Sequence, residues 1–89
     1  MPTFTAKQGQ YLAFIHAYAC IFGRSPAEAD LQRHFRVSPP SVHQMVLTLE
    51  RQRLIKRQTG VARSIEILIE PEKLPTLRAQ PVKSSVQRY

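Results

Sequence analysis

The sequence of 89 residues predicts an α+β domain made of three helices followed by a two-stranded β-hairpin. Three observations predict it. Apolar residues recur at helical spacing in three early segments, and two of these segments begin with a Ser-Pro pair. Isoleucines then alternate with polar residues between positions 64 and 67, shortly after a glycine. A chain of this length forms one small domain with one modest core.

The first predicted helix runs from about Thr5 or Lys7 to Phe22. Its buried face consists of residues at helical spacing, namely Tyr11, Ile15, Tyr18 and Phe22. Phe14 and Ile21 make the apolar surface wider than one face. The helix is therefore either central in the domain or partly covered by another chain, and the second case is the hypothesis of a homodimer.

The second predicted helix runs from about Pro26 to Phe35. Ser25 has the side chain of an N-cap residue, and Pro26 suits the first helical position. Glu28 stands three residues after the serine, so the pattern predicts a capping box.

The third predicted helix begins after Ser38 and runs to about Gln52. Ser38 caps it, and Pro39 and Pro40 take the first two helical positions, where no intrahelical N–H bond is lost. The double proline therefore fixes the start of the helix instead of breaking it. The core side is expected to consist of Val42, Met45, Val46 and Leu49.

Residues 54–58 and 63–69 read as two strands joined by a turn that contains Gly60. The pair Glu70-Pro71 ends the ordered pattern. We therefore expect a domain over residues 1–70, followed by an irregular or disordered basic tail over residues 71–89.

Three helices, a short connection between the second and third, and a terminal hairpin predict a winged helix-turn-helix. In this fold the third helix enters the major groove of DNA, and its N-terminal residues touch the base edges. Ser38 and Ser41, with unpaired backbone N–H groups behind them, are also expected to attract a phosphate. The alternative is that the Ser-Pro caps only end loops, as they do in helices that bind nothing.

The distribution of charge favours a polyanionic partner. The formal net charge is +7, and residues 33–63 hold seven Lys and Arg residues against Glu50 alone, a net of +6. A basic block confined to one part of a small domain is typical of proteins that bind nucleic acid. An ordinary solvated basic surface is the alternative.

Four runs carry a family resemblance: FTAKQ at 4–8, GRSP at 23–26, SPPSV at 38–42 and GVARSI at 60–65. In this order they resemble the N-terminal DNA-binding domain of the LexA family of SOS repressors and its MarR-like winged-helix relatives. The resemblance spans about residues 4–69. It implies a bacterial-type transcription regulator that binds double-stranded operator DNA, often as a dimer.

Two departures limit what the resemblance implies. LexA proteins continue into a self-cleaving serine–lysine protease domain, which this sequence does not reach, so self-cleavage and SOS control are not expected of it. The base-reading positions of the family hold asparagine and glutamates. Here the matching residues are Pro40, His43 and Gln44, so the groove-reading role is expected and the target sequence is not inherited.

The candidate DNA contacts on the third helix lie on its exposed side. Gln44 is the first choice for base readout, since its amide can bind adenine N6 and N7 together. His43 either contacts a base or phosphate or is simply exposed. Leu47 either contacts a thymine methyl group or packs on the hairpin. The other candidates are polar or small residues of the same surface: Ser38, Pro40, Ser41 and Thr48.

Arginines supply the candidate contacts to the DNA backbone. Arg63 matches the wing arginine of the resembled family, which implies a minor-groove or phosphate contact. Arg51 and Arg57 are further candidates, and Arg33 and Arg36 are weaker ones for the flanking backbone.

Other classes of function find little support. The three histidines and the lone cysteine lack metal-ligand spacing, and there is no glycine-rich phosphate loop, so we expect no catalytic residues, cofactor, metal or small-molecule ligand. The longest apolar stretch is too short to cross a membrane, and a cytoplasmic protein is expected. The alternative function is a winged-helix protein–protein interaction module that does not bind DNA.

Overall fold

The computed structural model describes residues 3–78 and contains three α-helices before a β-hairpin. The elements in chain order are α1 (Ala6–Phe22), α2 (Glu28–Phe35), α3 (Pro39–Arg51), β1 (Ile55–Lys56), β2 (Glu66–Ile67) and a 3-10 turn (Pro71–Lys73). The strands are antiparallel, with Ile55 opposite Ile67 and Lys56 opposite Glu66. The predicted α+β class and the winged-helix layout are confirmed.

One hydrophobic core lies between the helices and the hairpin. Its buried members come from the three helices, from β1 and from the residues that flank the strands: Tyr11, Leu12, Ile15, Leu31, Val42, Val46, Leu49, Leu54, Ile55 and Ile65. The core side predicted for α3 is confirmed, with Met45 half-buried at its margin. Burial of this side fixes α3 against α2 and the hairpin, and leaves its opposite side at the surface.

The last turns of α1 differ from the prediction. Burial along α1 ends at Ile15, and Phe22 is 58% exposed, so the stripe predicted to continue to Phe22 is wrong at that end. Ile21 is 73% exposed. Phe14 is half-buried, and its ring stacks on His34 with centroids 4.3 Å apart. The helix therefore extends beyond the core, and Phe14 packs against a residue of the same chain.

The start of α2 also differs from the prediction. The helix begins at Glu28 after the N-cap residue Ala27, two residues later than expected. The Ala27 N–H donates to Asp30 Oδ2 over 2.8 Å, while the Ser25 hydroxyl donates to the carbonyl of Arg63. The predicted capping box at Ser25 and Glu28 is wrong, because Ser25 binds the hairpin and Asp30 caps the helix instead.

Residues beyond the hairpin continue along the surface of α1. The Gln10 side chain donates to the Thr76 carbonyl over 2.9 Å and accepts the Arg78 N–H over 2.8 Å. Gly9 makes room for this path, since a Cβ there would lie 2.9 Å from Pro75 Cγ. Residues 74–78 are thus irregular in backbone but bound to the domain. The rest of the predicted tail, residues 79–89, lies outside the described residues.

Candidate nucleic-acid interface

The start of α3 has its backbone donors already satisfied or missing. Pro39 and Pro40 have no N–H group, Ser38 Oγ accepts the Ser41 N–H over 3.3 Å, and the Ser38 carbonyl accepts the Val42 N–H over 3.1 Å. The prediction of unpaired N–H groups at this end is therefore wrong. The hydroxyl groups of Ser38 and Ser41, 3.0 Å apart, are what this end offers a phosphate.

Four of the predicted α3 residues lie around one depression. Pro40, Ser41, Gln44 and Thr48 line a shallow depression together with Gln8 of α1. Gln44 is exposed, and its amide makes no hydrogen bond to any part of the described chain. This side chain is free to bind a molecule that approaches α3.

Leu47 and Arg51 complete the outer surface of α3. Leu47 is half-buried, so contact with DNA and packing near the hairpin both stay open for it. Arg51, in the last turn, is exposed and forms no ion pair within residues 3–78.

His43 is paired with an acid. Its Nδ1 atom lies 3.3 Å from each of the two carboxylate oxygens of Glu28, the first residue of α2. The His43 side chain is 50% exposed and the Glu28 side chain is 38% exposed. His43 thus remains accessible, with one edge of its ring held by α2.

The two candidate arginines of the hairpin region are bound within the protein. Arg57 Nε donates to Glu50 Oε1 over 3.1 Å, and its side chain is only 17% exposed. Arg63 Nη1 donates to Asp30 Oδ2 over 3.0 Å and to the Tyr18 hydroxyl over 3.1 Å. Their contact with DNA stays a prediction, and each would have to share or exchange a partner to make it.

Asp30 is the junction between α2 and the hairpin. Its carboxylate is 10% exposed and accepts from the Ala27 N–H, from Arg33 over 2.6 Å and from Arg63. Burial alone would raise the pKa of Asp30, but the Ala27 N–H and the charges of Arg63 and Arg33 outweigh it and lower that pKa. The residue is held as a carboxylate.

Three arginines have a left-handed backbone, with φ of 57° at Arg36, 63° at Arg53 and 56° at Arg63. Among residues 3–78, glycine occupies the other positions of this kind, Gly23 and Gly60. A residue with a Cβ is strained there by about 1 kcal/mol or more. Arg53 was not among the predicted site residues, although its place directly after α3 was a signal for a helix-ending conformation.

The basic block therefore divides into two groups within the described part of the chain. Carboxylates pair with Arg33, Lys56, Arg57 and Arg63. No ion pair with a described residue is formed by the exposed Arg36, Arg51 and Arg53. These three side chains are the free cations nearest to α3 in the sequence.

Two other kinds of site were sought among residues 3–78. No group of three or more His, Cys, Asp and Glu residues is placed to hold a metal ion there. None of the helices in this part of the chain has the length and apolar character needed to cross a membrane.

Comparison with known proteins points to one family. No protein-family model matches the chain. The chain is 34% identical over 86 residues to the LexA repressor of Thermosipho africanus (strain TCF52B), covering 97% of the chain and 41% of that relative. It is also 34% identical over 74 residues to the LexA repressor of Thermosipho melanesiensis, covering 83% of the chain and 37% of that relative.

The chain thus spans about two fifths of the length of these relatives. The wider kinship with MarR-like proteins stays a prediction. Both matches cover most of the chain, and the helices and hairpin have the order expected from the resemblance. The chain is therefore similar to LexA repressors over the shared region, and that region has the helices and hairpin of a helix-turn-helix domain.

Proposed function

We propose that this chain is a non-enzymatic transcription regulator of the cytoplasm that binds double-stranded DNA. In this proposal α3 enters the major groove and the hairpin contacts the backbone or the minor groove. The observation that carries the proposal is the exposed amide of Gln44, which has no partner in the described chain and stands on a helix whose start and inner side are fixed. The likeness to two LexA repressors supports it.

A fixed helix is what base readout needs. Val42, Val46 and Leu49 are fully buried, so α3 cannot rotate about its axis without exposing them. The Ser38 cap and the two prolines define where the helix begins. Gln44 is therefore presented in a defined direction, and little conformational freedom is lost on binding.

We assign the base contacts to the first two turns of α3. Gln44 binds an adenine through N6 and N7, which discriminates against other bases by about 1–3 kcal/mol. His43 contacts a neighbouring base, Leu47 packs on a thymine methyl group, and Pro40 makes van der Waals contact with the groove. The hydroxyls of Ser38, Ser41 and Thr48 bind phosphates.

The backbone contacts come from the arginines. Arg51 binds a phosphate directly, since it has no partner to give up among residues 3–78. Arg57 and Arg63 bind phosphates with the guanidinium N–H groups that their carboxylate partners leave unused. Each neutralised phosphate steepens the log–log dependence of affinity on salt by about 0.9.

Selection of binding sites from random duplex DNA tests the proposal. We expect the wild-type chain to enrich a defined sequence, and Gln44→Ala to lose preference at one A·T pair while still binding DNA. Gln52→Ala, at the far end of the same helix, is the matched control and should select the wild-type sequence. Enrichment of no sequence by the wild type, or the same change in both variants, would overturn the proposed readout.

A second candidate function is a protein-interaction module, including self-association. The exposed Ile21 and Phe22 at the end of α1 favour it, because large apolar side chains at the surface are typical of protein contacts. Titration with duplex DNA at two salt concentrations separates the candidates, since phosphate contacts weaken steeply with salt. Sedimentation that gives only the 10.2 kDa species at high concentration would remove self-association.

A further inference from the structure

We infer that Glu28 selects which nitrogen of His43 faces the DNA, and that His43 consequently reads an exocyclic amino group in the major groove. Glu28 is a positioning residue in this inference and His43 is the one that touches the base. The inference rests on the proposed function, because it takes α3 to lie in the groove. Its first test uses the protein without DNA.

The geometry fixes the tautomer of His43. Nδ1 lies 3.3 Å from both Oε1 and Oε2 of Glu28. An ionised carboxylate only accepts hydrogen bonds, so Nδ1 must carry the proton that is shared with it. A neutral imidazole has one N–H group, and Nε2 is therefore left with its lone pair.

Nε2 is the nitrogen left for a ligand. No described residue forms a hydrogen bond with it, and the His43 side chain is half exposed. Since α2 and α3 pack against each other, Glu28 holds the inner edge of the ring at a constant place. A neutral ring held in this way presents one acceptor atom, with its tautomer decided before DNA arrives.

An acceptor selects donors on the base edge. In the major groove only the adenine N6 and cytosine N4 amino groups donate, whereas guanine and thymine present acceptors to the same region. An unrestrained histidine can donate from Nε2 and so bind guanine as well. Glu28 thereby restricts the base next to His43 to adenine or cytosine.

Two arginines of the hairpin region lie near Glu28. Glu28 lines a depression between the start of α2 and the hairpin that Arg57 and Arg63 also line. Arg57 and Arg63 are each paired with another carboxylate, Glu50 and Asp30, and His43 is the basic group in direct contact with Glu28. Under the inference, the role of this carboxylate is to orient His43.

Nitrogen-15 NMR of the full chain with labelled histidines tests the tautomer directly, because protonated and bare ring nitrogens have well separated shifts. The pH is raised until the His43 signals stop changing. We expect wild-type His43 to carry its proton on Nδ1, and Glu28→Ala to move it toward the Nε2-protonated form. Wild-type protonation at Nε2, or no difference in Glu28→Ala, would overturn the inference.

Controls are built into the same spectrum. His16 and His34 should keep their signals in Glu28→Ala, which shows that the variant is folded. Glu66→Ala removes an equal charge from the hairpin, where the side chain is 64% exposed and pairs with Lys56, and it should leave His43 unchanged. A shift of His43 in Glu66→Ala would mean that net charge, not the contact, sets the tautomer.

Selection of duplex sites with the same variants tests the consequence for DNA. Wild type should require adenine or cytosine at one position, with affinity lower by about 3- to 10-fold for guanine or thymine there, as one neutral hydrogen bond predicts. Glu28→Ala should also accept guanine at this position, and His43→Ala should show no preference at this position. If the wild type selects a sequence but Glu28→Ala selects the same one, the inference fails while the proposed function stands.

Discussion

The tip of α3 and the hairpin were both predicted to face DNA, yet their polar side chains are engaged very differently. At the tip, Gln44 is exposed and has no hydrogen bond to a described residue. On the hairpin side, Arg57 and Arg63 are held by Glu50 and Asp30. Gln44 is therefore free to bind DNA, whereas Arg57 and Arg63 hold the hairpin region to α3 and α2.

The reason lies in the size of the two elements. α3 has 13 residues and buries Val42, Val46 and Leu49 fully, so its position does not depend on Gln44. Each strand of the hairpin has only two residues, too few for a stable ribbon by themselves. Besides its buried Leu54, Ile55 and Ile65, the hairpin is attached through Arg63: its carbonyl accepts the Ser25 hydroxyl and its guanidinium donates to Asp30.

The largest expected effect is on the attachment of the hairpin. Asp30→Ala removes a buried carboxylate that joins Ala27, Arg33 and Arg63, and we expect it to lower the free energy of unfolding by about 2–3 kcal/mol. Urea unfolding measures the loss. Glu66→Ala, which breaks only an exposed ion pair, should cost less than about 1 kcal/mol. Equal losses in the two variants would contradict the role given to Asp30.

Arg63→Ala and Arg51→Ala should separate the two regions further. Arg63→Ala breaks contacts to Asp30 and Tyr18, so it should destabilise the fold and weaken binding to most DNA sequences alike. Arg51→Ala should leave the free energy of unfolding nearly unchanged. It should reduce the magnitude of the slope of log affinity against log salt concentration by about 0.9. Thermal unfolding and fluorescence anisotropy at several salt concentrations measure these changes. An unchanged affinity for DNA in Arg63→Ala would contradict the proposed contact between Arg63 and DNA.

A smaller effect of opposite sign is expected at Arg36 and Arg53. Glycine relieves the left-handed strain, so Arg36→Gly and Arg53→Gly should each raise the free energy of unfolding by about 0.5–1 kcal/mol while weakening DNA binding. Arg24→Gly is the control, since its backbone φ is not positive and it lies outside the basic block. Unchanged affinity in both variants would show that these free cations do not contact DNA.

The smallest expected effect is the pH dependence that His34 gives to stability. Burial lowers the pKa of His34 below its ordinary value of 6.5, so the unfolded chain binds more protons than the folded one as acid is added. Stability is therefore complete above about pH 6.5 and falls as the pH drops below it. His34→Phe keeps a ring beside Phe14. It should reduce the change in the free energy of unfolding, measured with urea, between pH 7.5 and 5.5. An unchanged slope would contradict this origin.

At still lower pH, the protonation of Asp30 should also reduce the free energy of unfolding. Its pKa is lowered in the folded chain, so the stability it contributes is present above the unfolded value of about 3.9 and is lost as the pH falls through the folded value. In Asp30→Ala this additional loss below about pH 4 should be absent.

Local chemistry made part of the fold predictable. The Ser38 cap with its two prolines depends on adjacent residues, and the structure has it as expected. The start of α2 was mispredicted because two starts compete in the sequence: a capping box from Ser25 to Glu28, and Asp30, which stands three residues after Ala27 and accepts the Ala27 N–H. A hydrogen bond from Ser25 to a residue 38 positions away decides between them.

The candidate site divides in the same way. The outer surface of α3 followed from helical periodicity, because burial of one side leaves the other exposed. The hydrogen bond from Arg63 to Asp30 could not be predicted from periodicity, since Asp30 lies 33 residues earlier in the chain. Gln10 is a similar case, because its hydrogen bond to Thr76 spans 66 residues. Such long-range pairs leave no periodic trace in the sequence.

Titration of the labelled chain with a selected duplex, followed by amide NMR shifts, tests the central claim most directly. We expect the largest changes in residues 38–48 and at Arg36, Arg51 and Arg53, with smaller changes in the hairpin and almost none at Gly9 or Gln10. Largest changes at Ile21 and Phe22, or along residues 74–78, would place the duplex on another surface and contradict binding through α3.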